Sequence, residues 1–240
     1  MTATLYGIPA SHPVYATTLM LERKGIEYKR IDLPLWFHRP LLRLLRFRGT
    51  TVPALVLDGR RLQTTIAIAR ALDEVRPEPR LVPDDPRVRE VETWCDGDFQ
   101  QLGRRLIYWA LVRHGEAIDG YLEGSRLILP RFMVKPLAPV VIRILARDHE
   151  SRDEAVRADL ASLPGLLDRI DGWIAEGVLG GAEPNVADYQ VATSLALLAS
   201  HDDLRPMIAS RPAGKLVERI APDYPGRMPP AFPPRWMPAT

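Results

Sequence analysis

Cysteine is almost absent from this chain. Cys95 is the single one among 240 residues, so an internal disulfide framework is excluded. Such cysteine usage suits a reducing compartment. The chain also lacks an excess of either charge, because 32 Lys and Arg stand against 30 Asp and Glu, for a net charge of +2. The positive field that a dedicated nucleic-acid-binding protein needs is therefore missing.

Long apolar runs and metal-binding motifs are missing as well. No window of about 20 residues is free of charge, so we expect no membrane-spanning helix. The opening residues MTATLYG carry neither a charged region nor a long apolar run, so we expect no signal peptide and a cytoplasmic location. The five histidines are scattered, without an H-E-x-x-H motif or a Cys/His cluster, so we expect no metal site.

Apolar residues make up 46% of the chain, which is enough for a hydrophobic core. Its length suits one large domain or two small ones. Its first third mixes strand and helix patterns. These predict a strand at 3–7, a helix at 13–24, a strand at 26–31, a basic leucine-rich segment at 36–49, a hairpin at 51–63 and a helix at 64–75. Asp58-Gly59 is the turn signal of the hairpin. The predicted order is βαβ followed by ββα.

The remainder reads as almost entirely helical. We predict helices at 88–115, at 151–177 with an interruption around Pro164, and at 185–200, with a proline-rich tail from Pro222 extended on the surface. Asn185 and Asp188 fit an N-x-x-D capping box. We therefore divide the chain into an α/β domain at 1–78, a linker at 79–86 and an all-α domain at 87–240.

Ser11 lies where the first strand gives way to a helix. The first turn of a helix has unpaired N–H groups and a partial positive charge, so this turn suits an anion. The alternative is a plain N-terminal cap, for which serine is a preferred residue. We expect His12 to be a solvated loop residue.

Pro53 lies inside the opening of the first hairpin strand, where it removes a donor from the ladder and needs an edge, a bulge or a special conformation. A cis Val52–Pro53 bond would leave the backbone groups of Val52 free to pair with an extended ligand. An ordinary trans proline at a strand start is the alternative.

The order and spacing of these pieces resemble the glutathione transferase family over most of the chain. The segments that carry the resemblance are LYGIPAS at 5–11, ERKGIEY at 22–28, TVPALVLDG at 51–59, TTIAIARALDE at 64–74 and NVADYQVA at 185–192. The resemblance implies a thioredoxin-like N-terminal domain and an all-helical C-terminal domain. It also implies a cis Pro53, with the Val52 backbone paired to the cysteinyl part of glutathione.

The resemblance implies roles for further residues. Ser11 falls where serine-type members carry the residue that meets the glutathione sulfur, although His12 stands where many members have proline. Tyr6 is the rival, since tyrosine-type members carry their active tyrosine near the end of the first strand. Thr64 takes a position that is usually acidic and Thr65 takes that of a serine that holds the γ-glutamyl carboxylate.

Two further residues complete the expected thiol site. Gln63 is a candidate to compensate for the missing acid at Thr64. Arg39 belongs to an arginine-rich stretch that would face the glycyl carboxylate of glutathione, and a solvated helix face is the alternative there.

The resemblance implies a detoxification enzyme, active as a homodimer, that conjugates glutathione or another small thiol to a small hydrophobic electrophile. Glutathione would be its cosubstrate, with no metal. The alternative is a non-catalytic binding or scaffold protein that keeps the fold. Residues 126–147 combine apolar residues with spaced cations and prolines. We expect them to cover the cleft or to contact a partner, and a membrane-surface role is the alternative.

Overall fold

A computed structural model describes residues 1–238. Its four-stranded mixed sheet has the order β2-β1-β3-β4. The strands are β1 (Ala3–Gly7), β2 (Lys29–Asp32), β3 (Ala54–Leu57) and β4 (Arg60–Gln63). Strand β1 pairs in parallel with β2 and antiparallel with β3, and β3 and β4 form the predicted hairpin. The turn at Asp58-Gly59 has positive φ at both residues, 46° and 82°, as a two-residue hairpin turn needs.

Helices cover both faces of this sheet. They are α1 (His12–Arg23), α2 (His38–Leu44) and α3 (Thr65–Val75). Because successive side chains of a strand point to opposite faces, β1 contributes to two clusters. Leu5 lies in the large core that α1 and α3 share, whereas Tyr6 packs against a smaller cluster with Leu42 of α2 and Phe47.

The described chain after α3 is mostly helical, as the sequence predicts. Its helices are α4 (Pro86–Trp94), α5 (Gln100–Arg113), α6 (Ile118–Leu122), α7 (Arg131–Val134), α8 (Ala138–Asp148), α9 (Asp153–Ala175), α10 (Val186–Ala199), α11 (Arg205–Ala209) and α12 (Pro212–Ile220). A π-helical turn at Cys95–Phe99 joins α4 to α5, which gives the long helical segment predicted at 88–115. Within residues 1–238, no helix combines the length and apolarity needed to cross a membrane.

Helix α10 is the centre of the molecule. Its residues from Val186 to Leu198 are all buried, and it packs against α1, α4, α5 and α12. The predicted capping box is confirmed: the Asn185 side chain accepts from the backbone N–H of Asp188, and the Asp188 carboxylate accepts from the N–H of Asn185 at 2.9 Å. The Asp188 carboxylate also accepts from the N–H of Gly180 at 2.7 Å.

Three predictions about the fold need correction: the interruption at Pro164, the start of β2 and the course of the proline-rich tail. The predicted interruption at Pro164 is wrong, because α9 runs through it, fixed by the buried seam of Leu160, Leu163 and Leu167. Strand β2 begins three residues later than predicted. The chain closes α1 through Gly25, whose φ is +59°, and the Ile26 N–H donates to the carbonyl of Leu21, so residues 26–28 connect the two elements.

The tail from Pro222 is not a surface segment. Met228, Phe232 and Trp236 are all buried in the main core. Trp109 of α5 packs between the two aromatic rings, 5.5 Å from Phe232 and 5.4 Å from Trp236, measured between ring centroids. A proline-rich sequence predicts the absence of a helix correctly but says nothing about which apolar side chains find partners.

A buried ion pair fixes the end of α1 to α3. The Lys24 side chain is fully buried, and its Nζ lies 2.5 Å from Oδ1 of Asp73. The ammonium also donates to the carbonyls of Arg76 and Pro77. The Asp73 carboxylate accepts in addition from the backbone N–H groups of Leu81 and Val82, which lie just before the helical region.

Asp73→Ala should therefore destabilise the protein by about 3–5 kcal/mol, because it leaves a buried ammonium without its carboxylate. Glu74→Ala is the matched control. Its ion pair with Arg60 is exposed on both sides, so its loss should cost less than about 1 kcal/mol. Urea unfolding of both variants measures the difference, and equal losses would show that the Lys24 pair has no special role.

Candidate functional site

Several strand ends and two helix starts lie at one edge of the sheet. Strand β1 ends there, β3 begins beside it and β4 ends beside β3, so α1 and α3 both start at this edge. The Val52–Pro53 bond just before β3 is cis, as predicted. Within the described residues, neither the N–H nor the C=O of Val52 makes a backbone hydrogen bond. An extended ligand strand has free backbone groups to pair with here.

A cavity of about 100 Å³ opens between this edge and the helical region. Its walls are formed by residues Ile8, Pro9, Ala10, Ser11, His12 and Pro13 and by Leu35, Arg104, Ile107, Tyr108, Leu111, Ile118, Tyr121 and Leu197. The residues that α5 contributes are spaced i, i+3, i+4 and i+7, which puts them on one face of that helix. Apart from Arg104 and the two tyrosines, the wall facing Ser11 is apolar.

Ser11 stands at the N-cap position of α1, but its hydroxyl makes no capping hydrogen bond. The first turn of α1 contains no acidic residue and has a proline among its first two residues. Its remaining N–H groups and the helix dipole therefore give this wall of the cavity a positive potential. The hydroxyl is free to donate to a group inside the cavity.

Tyr6 does not share this site. Its ring packs edge-on against Phe47, 5.9 Å away between centroids, in the smaller cluster on the opposite face of the sheet. Strand alternation explains the separation, since Tyr6 directly follows Leu5, which faces the large core.

His12 is buried, which corrects the prediction of a solvated residue. Its relative exposure is 3%. Burial lowers the pKa of His12 well below its usual value, and the positive charge of Arg104 lowers it further. The imidazole is therefore neutral at physiological pH and adds no charge to the cavity.

Arg104 is the cation of the cavity wall. Its Nη2 donates to Oε1 of Gln100 at 2.7 Å. No carboxylate of residues 1–238 lies within ion-pairing distance of its guanidinium. Burial raises the pKa of the neighbouring Tyr108 to about 12, so this phenol stays protonated. The cavity therefore offers an unpaired cation and the Tyr108 hydroxyl, whereas the Tyr121 hydroxyl is hydrogen-bonded to that of Ser200 at 2.8 Å.

Gln63 and Thr64 are used within the protein. The Gln63 side chain accepts from the N–H of Gly49 at 2.7 Å and donates to the carbonyl of Thr51 at 2.9 Å, which holds the segment before Val52. The Thr64 hydroxyl caps α3 by accepting from the N–H of Ala67 at 3.3 Å. Both residues lie at the correct edge, with their polar atoms already engaged.

Thr65 is different, because its hydroxyl has no hydrogen-bond partner in the described part of the chain. The side chain is 1% exposed and lies in the first turn of α3. An unpaired buried hydroxyl is unfavourable, and a ligand oxygen that reached it after a small local opening would satisfy it.

Arg39 lies outside the cavity. Its side chain is 60% exposed, and its Nη2 lies 3.4 Å from Oδ2 of Asp148, so it joins α2 to the end of α8. This placement matches the solvated helix face more closely than a carboxylate-binding position.

Sequence reasoning missed Tyr224. Its hydroxyl donates to the carbonyl of Ala10, a residue with φ of +51° directly before Ser11. Its ring also packs against Tyr15 of α1, 6.0 Å away between centroids. Tyr224 therefore fixes the loop that carries Ser11, and no local pattern in the tail indicates this. The residues of α5 that line the cavity are different, because their i, i+3, i+4 and i+7 spacing can be read from the sequence and places them on one face of a helix.

The N-terminal region matches a known family. Residues 11–75 match the model of the glutathione S-transferase N-terminal domain. Over 93 residues, 36% of this chain, it is 32% identical to the maleylacetoacetate isomerase of Rattus norvegicus, covering 42% of that protein. Over 51 residues, 19% of the chain, it is 45% identical to the probable maleylacetoacetate isomerase 1 of Drosophila melanogaster, covering 21% of it. The matches thus span less than half the length of these curated relatives.

Solved structures are similar over nearly the whole chain. The glutathione transferase GSTFuA2 of Phanerochaete chrysosporium has a TM-score of 0.64 at 16% identity, covering 93% of this chain and 98% of its own. A rice glutathione transferase, solved in complex with glutathione, has a TM-score of 0.58 at 16% identity, covering 92% and 83%. At these identities the likeness concerns the fold: a thioredoxin-like region followed by a helical one.

The unpaired Thr65 hydroxyl gives a stability prediction. Thr65→Val should leave the free energy of unfolding unchanged or raise it, because it replaces an unsatisfied hydroxyl with a methyl group. Thr64→Ala should lower it by about 1 kcal/mol through loss of the helix cap. Chemical unfolding without added ligand compares the two. A clear loss of stability in Thr65→Val would show that its hydroxyl has a partner in the folded protein.

Proposed function

We propose that this chain is a member of the glutathione S-transferase family that binds glutathione at the sheet edge and transfers it to a small electrophile in the adjoining cavity. The observation that carries the proposal is the position of Ser11. Its hydroxyl is free of any capping role and lies on the cavity wall at the start of α1, at the same edge as the cis Val52–Pro53 bond. Glutathione is present in the rice structure of the same fold.

The chemistry requires a thiolate beside an electrophile. A free thiol has a pKa of about 8.5, so little of it is ionised at neutral pH. A hydrogen bond to a charged group contributes about 1.5–3 kcal/mol, which lowers the thiol pKa by about 1–2 units. Ser11 would donate that bond and needs no base. The thiol proton leaves to water, the sulfur lone pair forms a C–S bond, and the displaced group departs with its electron pair.

The remainder of glutathione would bind mainly through backbone and through Thr65. Val52 offers its N–H and C=O to the cysteinyl part, and Thr65 offers its hydroxyl to the γ-glutamyl carboxylate at the start of α3. Gln63, Thr64 and Arg39 contribute indirectly or not at all, because each already has a partner within the protein. The cytoplasmic, homodimeric state expected from the resemblance belongs to the same proposal.

Ser11→Ala should raise the pKa of bound glutathione by about 1–2 units and reduce conjugation at neutral pH by about 10–100-fold, with binding much less affected. Tyr6→Phe is the control and should change little, because Tyr6 lies on the other face of the sheet. Ultraviolet absorbance of the thiolate across pH measures the shift. A large shift in Tyr6→Phe alone would assign a tyrosine-type site.

Absence of both thiolate and conjugation in the wild type, with every thiol tried, would instead support the scaffold alternative.

Thr65→Val should weaken glutathione binding by about 1–3 kcal/mol, since the ligand carboxylate loses a buried hydrogen-bond donor. Calorimetric titration measures this, and the unfolding experiment above separates it from a general loss of structure. Wild-type affinity in the variant would remove Thr65 from the site without touching the assignment of Ser11.

The position of Arg104 on the cavity wall indicates which kind of electrophile would bind there. An unpaired guanidinium in a partly enclosed, mostly apolar cavity attracts an anionic group. The electrophile that suits this cavity best is therefore small, apolar and substituted with a carboxylate, which would lie against Arg104 and the Tyr108 hydroxyl.

Arg104→Met keeps much of the side-chain volume and removes the charge. It should lower kcat/KM about 10–100-fold for a carboxylate-bearing electrophile, because a charge-assisted hydrogen bond is lost. The methyl ester of the same compound is the control, and its kcat/KM should stay within about threefold. Equal losses for acid and ester would show that Arg104 acts on the structure of the cavity and not on substrate charge.

A further inference from the structure

The segment from Ile128 to Ile144 presents an unusual number of apolar side chains to solvent. Those with about half or more of their surface exposed are Ile128 (49%), Phe132 (75%), Met133 (50%), Leu137 (47%), Val140 (58%) and Ile144 (52%). The opposite side of α8 already anchors the segment, because Val141, Ile142 and Leu145 are buried. The outward side chains, which we call the α7–α8 face, are therefore not needed for folding.

The charge on this face has one sign. Residues 126–147 contain five Lys or Arg and no Asp or Glu. Lys135 pairs with Asp119. In the part of the chain that the structure describes, Arg131, Arg143 and Arg147 have no carboxylate within ion-pairing distance. Cations thus alternate with exposed apolar side chains.

A groove of about 540 Å³ runs beside α8 and adds to this pattern. The groove is lined by Arg113, Arg143, Arg147 and Arg152, together with Val112 and Glu150. Arg113 is paired with Asp153 and Arg152 with Glu150, which leaves the two arginines of α8 for an external anion. Val140 and Ile144 lie one turn from these arginines on the same helix, so apolar and cationic groups border each other.

We propose that the α7–α8 face docks onto an anionic lipid surface. Phe132, Val140 and Ile144 would enter the boundary between headgroups and acyl chains, and Arg143 and Arg147 would meet headgroup phosphates. Peripheral helices bind membranes by this combination of buried apolar area and attraction to anionic lipid. A second copy of the chain fits less well, because it would bring the unpaired Arg131, Arg143 and Arg147 of both copies against each other. This inference does not depend on the thiol chemistry.

Sedimentation with lipid vesicles tests the proposal. Wild-type protein should bind phosphatidylglycerol-containing vesicles and not pure phosphatidylcholine vesicles, and binding should weaken as salt rises, because the charge attraction is screened. Phe132→Ser with Ile144→Ser, and separately Arg143→Gln with Arg147→Gln, should each reduce the partition coefficient about 10–30-fold. All four side chains point outward, so thermal unfolding should stay unchanged.

Val75→Ser with Arg87→Gln is the matched control. It removes an exposed apolar residue and an exposed arginine elsewhere on the molecule, and should leave binding within about twofold. The proposal fails if the wild type ignores anionic vesicles at low salt, or if the control weakens binding as much as the α7–α8 variants. It also fails if sedimentation equilibrium shows a dimer for the wild type and a monomer for the variant that combines Phe132→Ser with Ile144→Ser. The face would then be occupied by a second copy.

Discussion

The burial of α1 between the sheet and α10 is the constraint on which the rest of the structure depends. Val14, Ala16 and Met20 of α1 are completely buried. A Cβ atom at Gly7 would approach Cγ1 of Val14 to 2.6 Å, so glycine lets the start of α1 lie against the end of β1 without displacing Val14. This close packing directs the first turn of α1 into the cavity, and Lys24 fixes the other end of the helix. The position of Ser11 is thus a consequence of core packing.

The electrostatics of the cavity follow from burial. Desolvation makes His12 neutral and keeps Tyr108 protonated, because it disfavours the charged form of each. Arg104 keeps its charge, since a guanidinium is protonated at any physiological pH. The start of α1 adds positive potential without an acidic residue to cancel it. The two positive contributions, from Arg104 and from the start of α1, both favour an anion, whether that anion is a thiolate sulfur or a substrate carboxylate.

Sequence reasoning succeeded where the signal was local. The hairpin turn at Asp58-Gly59 and the capping box at Asn185 are fixed by residues within a few positions of each other. The family resemblance added the cis bond before Pro53. Sequence reasoning failed where the partner is distant: His12 is buried by α5, and Tyr224 reaches Ala10 across 214 positions. Pro164 continues its helix because tertiary packing outweighs local propensity.

The polar side chains of Gln63 and Thr64 at the sheet edge form hydrogen bonds within the protein. Gln63 holds the segment that leads to Val52, and Thr64 caps α3, so these side chains, which the sequence led us to expect at a glutathione site, instead shape the backbone of the sheet edge. In the function proposed above, recognition of the thiol peptide would therefore depend on main-chain groups, on helix starts and on the Thr65 hydroxyl. Selectivity among electrophiles would then come from the cavity, where the proposal assigns it to Arg104 and to the face of α5 that lines the wall.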